Sequence, residues 1–458
     1  MMIMILSIVL LGYFMILLDT SIVITGLPAI GVDLGLSPLH LSWVQNAYTL
    51  SFGALLLLGA RAGDIYGRKK TLNVGIVLFM VASVAIAFAP HAYVLIGARI
   101  VQGLDAAIIA PATLALITEH FPEGPQRLRA TSAYGAVAGI GVAAGMVIGG
   151  VFAEALSWRI GFIINVPMGL ILLYLVKRSL PATAAKQETL DILGAISSTL
   201  GIAGVLYAIV LSAENGWGSP TVFVPLAAGV VLFAWFLFHE SRVTHPLLPL
   251  HLFKDRQRNA ILASRFLLVG SVMSFFFFST QLLQDATGFN ALQAGLAFVP
   301  LSLVQFATAR FSPRLAGHGM SEATLIVGGL LIMVVGMVSL AIAPYMVGFW
   351  IGLILVGGGQ GFAFGPMTSS ALSRATPEDA GALSGLVNSV HQIGGTFGVG
   401  VFGALAVAVV GHEETAAMIT ERAHLGFTIS SVSFAVATIL AVSSFAPIKR
   451  SSEQLHPS

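Results

Sequence analysis

Apolar runs of about 20 residues, almost free of charge, recur along nearly the whole chain, and that is the length an α-helix needs to cross a bilayer's hydrocarbon core. Bounded by charge or by Gly/Pro clusters, fourteen runs are read at approximately 3–26, 41–60, 72–90, 94–117, 131–152, 160–178, 190–212, 221–239, 260–283, 291–312, 323–344, 347–372, 382–410 and 425–447. Only 9% of residues are charged and 57% are hydrophobic, whereas a soluble domain carries about 25% charged residues. The expected fold is therefore an all-α polytopic membrane protein. The sequence shows no basic tract for nucleic acid. It has no Cys, which excludes disulfides and thiolate metal sites. The first run lacks a basic leader and a small-residue cleavage site, so it is expected to stay as the first helix.

Basic residues set the orientation. With the N-terminus in the cytoplasm, Arg68, Lys69, Lys70, Arg127, Arg129, Lys177, Arg178, Lys186, Lys254, Arg256, Arg258, Lys449 and Arg450 fall in inside segments, while Arg159 and Arg422 fall outside. That bias places both termini in the cytoplasm of a cell whose cytoplasmic membrane the chain spans.

An internal repeat divides the chain. Val101, Gly103, Pro111 and Thr113 recur as Val356, Gly358, Pro366 and Thr368, and Pro122 and Glu123 recur as Pro377 and Glu378. Gly135 and Gly145 then match Gly385 and Gly395. Repeated halves are a transporter architecture. The expected organisation is a six-helix bundle over 1–180, two inserted helices over 181–245, and a second six-helix bundle over 246–458.

Within the apolar runs a few polar residues stand out. Asp19, in LDTSIVITGLP, is the one ionisable residue of the first run. A carboxylate at that depth pairs, faces a water-filled cavity or carries a proton. The fourth run holds Arg99, Gln102 and Asp105, spaced to form a slanting polar stripe on one helix face. Asp105 is either a second proton carrier or the neutralised partner of Arg99. Gly141, Gly145 and Gly149 in the fifth run put a smooth ridge on one face, which lets helices approach closely. The second half has no acid well inside a run, which leaves His391 as its central titratable group. Arg265 is read just inside the start of the ninth run. Phe275 and Phe276 belong to a row of four Phe residues, some of which must meet lipid or packing rather than a pocket.

The loop GARAGDIYGRKK, with Asp64, Gly67 and Arg68, resembles the signature loop of the major facilitator superfamily. In that family it latches the two halves on the cytoplasmic side. Ala60 stands where Gly is usual, and Ile65 where Arg is common. Fourteen runs, with LDTSIVITGLP, Trp43 to Tyr48, WRIGFIINVP and GALSGLVNSVHQIGGTFGVG, resemble that superfamily's drug/proton antiporters of the quaternary-ammonium type. The resemblance implies two six-helix bundles plus two extra helices. It implies proton coupling at Asp19 and Arg99, with Asp105 an addition to the family pattern. It also implies an antiporter-type glycine motif over Gly141, Gly145 and Gly149, in which Met146 replaces the usual Pro.

The expected function is proton-driven export of hydrophobic, cationic drugs, dyes or biocides from a cavity that includes Gln45, Tyr48, Gln102, Phe275, Phe276 and His391. Neither a metal nor a cofactor is expected; the proton gradient drives the cycle, and the chain is expected to work as a monomer in the bilayer. No HExxH, Ser-His-Asp set or metal-ligand cluster suggests an enzyme. The alternative is a proton-coupled exporter or importer of one metabolite, because a shared fold does not fix the substrate.

Overall fold

The computed structural model describes residues 2–445, apart from residues 37, 182–190, 245, 343–344, 377–378 and 412–414. Lys186, Pro377, Glu378, Glu413, Glu414, Lys449 and Arg450 lie outside the described residues.

All regular structure among the described residues is helical. The first half comprises α1 (Met2–Leu34), α2 (Pro38–Tyr66), α3 (Arg68–Ala87), α4 (Ala92–His120), α5 (Pro125–Ala155), α6 (Trp158–Ile163) and α7 (Asn165–Ser179). Then come α8 (Ile192–Asn215) and α9 (Pro220–Glu240). The second half comprises α10 (Arg256–Gln281), α11 (Ala291–Ala297), α12 (Val299–Gly317), α13 (Glu322–Ile342), α14 (Tyr345–Ala371), α15 (Ala380–Phe397), α16 (Gly403–Val410) and α17 (Ala416–Phe445). Among the described residues, thirteen helical stretches are long and apolar enough to span a bilayer. α2 makes a fourteenth long helix. It falls short on apolarity because Gln45, Asn46, Thr49 and Ser51 interrupt its run.

Four of the spanning stretches are not uniform helices, one of them because α11 gives way to α12 at Phe298. α6 gives way to α7 at Ile164. α10 runs into a π-helical turn at Leu282–Ala286, and α15 passes into α16 through another at Gly398–Phe402. Such turns redirect a helix without leaving backbone groups unsatisfied. α5, by contrast, is continuous through Met146, as expected where the usual Pro is missing. The repeated Pro111 and Pro366 sit inside α4 and α14, the corresponding helices of the two halves.

Glycine sets how closely the helices pack. α4 lies against α2 so tightly that a Cβ on Gly59 would strike the Ala107 carbonyl, and one on Gly103 would strike Ser51 and the Tyr48 carbonyl. α5 carries glycine on two faces. Gly141, Gly145 and Gly149 rest on Leu17, Leu18, Ser21, Ile22 and Thr25 of α1. Gly135 and Gly139 rest on Phe364 of α14 and Gln305 of α12. α5 is thus wedged between α1 and the second half. α2 and α4 pack on α15, and α8 packs on α9, α2 and α15.

Gly103→Val should lower the thermal midpoint of the detergent-solubilised protein, because overpacking a tight contact costs about 1–3 kcal/mol. Gly97→Val on the same helix, where a Cβ meets nothing within 4 Å, should leave it unchanged. Equal effects of the two would show that the α2–α4 contact does not limit stability.

Candidate functional site

The polar residues of α1 and α4 converge in the interior of the first half. The Arg99 guanidinium donates from Nη1 to Asp19 Oδ2 at 2.7 Å, and both side chains are 0% exposed. A charge pair this deep is stable only if its remaining groups are also satisfied. Arg99 Nη1 donates to Gln102 Oε1 at 2.7 Å, and Arg99 Nε donates to the Val44 carbonyl at 3.0 Å. The Tyr48 ring lies 4.2 Å from the guanidinium carbon, a cation–π contact. On the acid side, Asp19 Oδ1 accepts from Gln102 Nε2 at 3.1 Å and from Asn165 Nδ2 at 2.8 Å. Ser83 Oγ accepts from both amides and completes the ring. Five helices, α1, α2, α3, α4 and α7, therefore meet at one ion pair.

Asp105 is different. It is 0% exposed, and neither carboxyl oxygen has a hydrogen-bond partner in the protein. It lies one turn along α4 from Gln102, on the same side of the helix. Arg99 pairs with Asp19, and among the described residues no direct ion pair joins it to Asp105.

The signature loop joins the halves. Tyr66 ends α2 and Arg68 begins α3, with Gly67 at φ 89° making the reversal that other residues resist. Arg68 donates to Asp64 Oδ1 at 2.9 Å and to Glu119 Oε1 of α4 at 2.5 Å. The Asp64 carboxylate rests against Gly381 in the first turn of α15, where a Cβ would collide with it. A helix N-terminus favours a negative charge there. Below it, Gly385 accommodates the Ala60 methyl, so glycine has moved to the opposite side of this contact. Arg127 at the start of α5 adds a second tie, donating to the Leu372 carbonyl at 3.1 Å. All these contacts lie at the end of the bundle that carries the basic loops. At the other end Arg159 and Trp158 donate to Asp33 and hold its carboxyl below the usual carboxylate range.

The remaining cavity candidates are scattered. Gln45 is half-buried on α2, and Tyr48 and Gln102 serve the ion pair. Phe275 is buried in the second half, with the rings of Phe276, Phe298 and Phe427 around it. Phe276 leans on Phe298 at 5.2 Å between ring centroids. His391 stands edge-on to Phe364 at 5.8 Å. The sequence reading missed Asn165 and Ser83, whose only signal was a polar residue inside an apolar run. It also placed Arg265 too near a helix end. That residue is 3% exposed, well inside α10, and donates to Thr368 Oγ1 at 2.8 Å.

Known proteins bear on this arrangement. The family model described as Major Facilitator Superfamily matches residues 9–399. The cephamycin export protein CmcT of Amycolatopsis lactamdurans is 36% identical over 85% of this chain and 82% of its own length. The puromycin resistance protein pur8 of Streptomyces alboniger is 36% identical over 95% of this chain and 88% of its own. In fold, the chain is similar to the crystal structure of the human organic anion transporter MFSD10 (TETRAN), with TM-score 0.67 and 15% identity, covering 96% of this chain and 99% of that one.

Arg99→Gln leaves Asp19 as a buried charge without its counterion and should cost about 3–5 kcal/mol. The double variant Asp19→Asn/Arg99→Gln removes both charges and should recover much of that loss. Thermal unfolding of the single and double variants in detergent measures this; additive losses would mean that the pair is not the organising contact.

Proposed function

The chain belongs to the Major Facilitator Superfamily and is a multi-pass membrane transporter, not an enzyme; on that premise we propose that it exports hydrophobic drugs, cationic ones among them, from the cytoplasm in exchange for protons by alternating access. Relatives whose names describe cephamycin export and puromycin resistance support drug efflux. The observation that carries the proton coupling is the contrast between two buried carboxyls. Asp19 receives a guanidinium and two amide donors, the environment of an ionised carboxylate. Asp105 receives none, and a charge without a partner is too costly at that depth. The neutral acid fits this conformation, and Asp105 is the residue that carries the proton.

The cycle follows from where the halves touch. The Asp64 and Arg127 contacts close the basic end, which the positive-inside bias assigns to the cytoplasm. In this state Asp105 holds a proton taken from outside and offers no charge to a cationic drug, so the drug leaves. When the latch opens, Asp105 gives its proton to the cytoplasm. Its carboxylate then favours the next cation, and the halves rock about the midplane. The two glycine faces of α5 transmit that movement between α1 and α12/α14. Asp64, Gly67 and Arg68 gate the inner side, while the Asp19–Arg99 ion pair keeps α4 in register with α1.

Purified protein reconstituted in liposomes with an imposed proton gradient tests this, with ethidium as the monovalent cation. Asp105→Asn should neither concentrate ethidium nor exchange protons for it, because the proton carrier is gone. Asp19→Asn, which strips Arg99 of its counterion, should not concentrate ethidium at all. Wild-type accumulation and stoichiometry in Asp105→Asn would overturn the assignment.

A further inference from the structure

The second half contains a buried charge that the proton cycle does not use. Arg265 is the tenth residue of α10, roughly 13 Å along the helix from its basic end. That places it inside the spanning stretch Arg256–Ala286, nearer its basic end than its middle. A guanidinium stays charged in proteins, so this position demands compensation. The contacts that Arg265 makes are neutral. Its Nη1 donates to Thr368 Oγ1 at 2.8 Å, and that hydroxyl in turn donates to the Phe364 carbonyl at 2.8 Å. Its Cζ lies 4.3 Å from the Phe364 ring centroid. Nε is buried without an acceptor, and among the described residues no carboxylate forms an ion pair with Arg265. Arg99, at comparable depth in the other half, has Asp19.

What surrounds Arg265 is suited to an anion. The Phe364 ring under Arg265 also packs on Gly135 of α5, next to Tyr134, whose ring stacks on that of Tyr13 with centroids 3.8 Å apart. His391 stands edge-on to the same Phe364. Tyr13 and Tyr134 belong to α1 and α5 of the first half, whereas Arg265, Thr368 and His391 belong to α10, α14 and α15 of the second. The cluster thus lies where the halves meet. A guanidinium fork and phenol hydroxyls are donors that match a planar carboxylate.

We infer that Arg265, with Tyr13, Tyr134 and Thr368, forms a binding site for the anionic group of a substrate, a carboxylate or an acidic phenol, so that acidic and zwitterionic compounds are cargo as well as cations. This rests on the export reading for its biological meaning, but the site itself is testable without transport. Asp105 in the first half and Arg265 in the second then give the interior two poles of opposite charge preference.

The test is equilibrium binding to the purified full chain in detergent, with no gradient. The probes are 1-pyrenebutyrate, its uncharged methyl ester, and ethidium as a control for folding. Wild type should bind the carboxylate at least about tenfold tighter than the ester, the size of one charge-assisted hydrogen bond. Arg265→Gln should erase that preference while still binding ethidium. Arg265→Lys, which keeps the charge, should retain part of it. Should Arg265→Gln lose ethidium binding as well, the lysine variant decides, and loss of the carboxylate preference in it overturns the site. Equal wild-type affinity for carboxylate and ester, or an unchanged preference in Arg265→Gln, overturns it too. Failure of proton-coupled export in Asp105→Asn bears on the coupling alone, because the binding measurement requires no proton gradient.

Discussion

The buried ion pair between Asp19 and Arg99 organises the first half of the molecule. Neither charge is affordable at this depth alone, and the pair is tolerable only because α2, α3 and α7 each contribute a group to it: the Val44 carbonyl, Ser83 and Asn165. Those bonds have directions, so they fix the rotation of α1 and α4 relative to each other, which apolar packing in a lipid environment does weakly. Asp105 gains its character from the same arrangement. The Arg99 guanidinium is already committed to Asp19, which leaves a second carboxyl beside that network and outside it.

Glycine turns this local chemistry into something the whole molecule feels. α5 presents one glycine face to α1, next to Asp19, and another to α12 and α14. Close contact on both faces means that a shift of α1 against α4 cannot be absorbed by compressible side chains. At the basic end Asp64 lies against the first turn of α15, and Gly381 is the residue that permits it. The buried carboxyls and the contact of Asp64 with α15 are therefore linked through α2, which carries Asp64 at one end and Tyr48 beneath Arg99 nearer the other.

Much of this was legible in the sequence, and the parts that were not share a cause. Bilayer thickness dictates run length, so the spans could be read from apolarity, including 41–60, where the polar residues of α2 dilute the signal. Asp19, Arg99 and Asp64 stood out because charge is rare in such runs. Which carboxylate Arg99 would choose depends on helix rotation, and composition does not encode that. Asn165 and Ser83 were invisible for a related reason, since a neutral polar residue inside an apolar run has several uses. Arg265 was misplaced because a charge was taken as the boundary of the run, whereas α10 begins at Arg256. Phe275 reads as a pocket residue by type, and its three aromatic neighbours were not legible from the run. The break at Ile164 lies one turn before Pro167, whose missing N–H leaves the Ile163 carbonyl without its helical donor, whereas no proline marks the π-turns at Leu282 and Gly398.

The account depends on which of two neighbouring carboxyls is protonated. Infrared difference spectroscopy reads this directly, because a protonated carboxylic acid has a carbonyl stretch that a carboxylate lacks. Adding ethidium to the reconstituted wild-type protein should remove one such band as the drug displaces the proton. The band should be absent from the start in Asp105→Asn and still present in Asp19→Asn. A band that survives in Asp105→Asn and vanishes in Asp19→Asn would contradict the account, since the proton would then reside on the carboxyl that Arg99 holds.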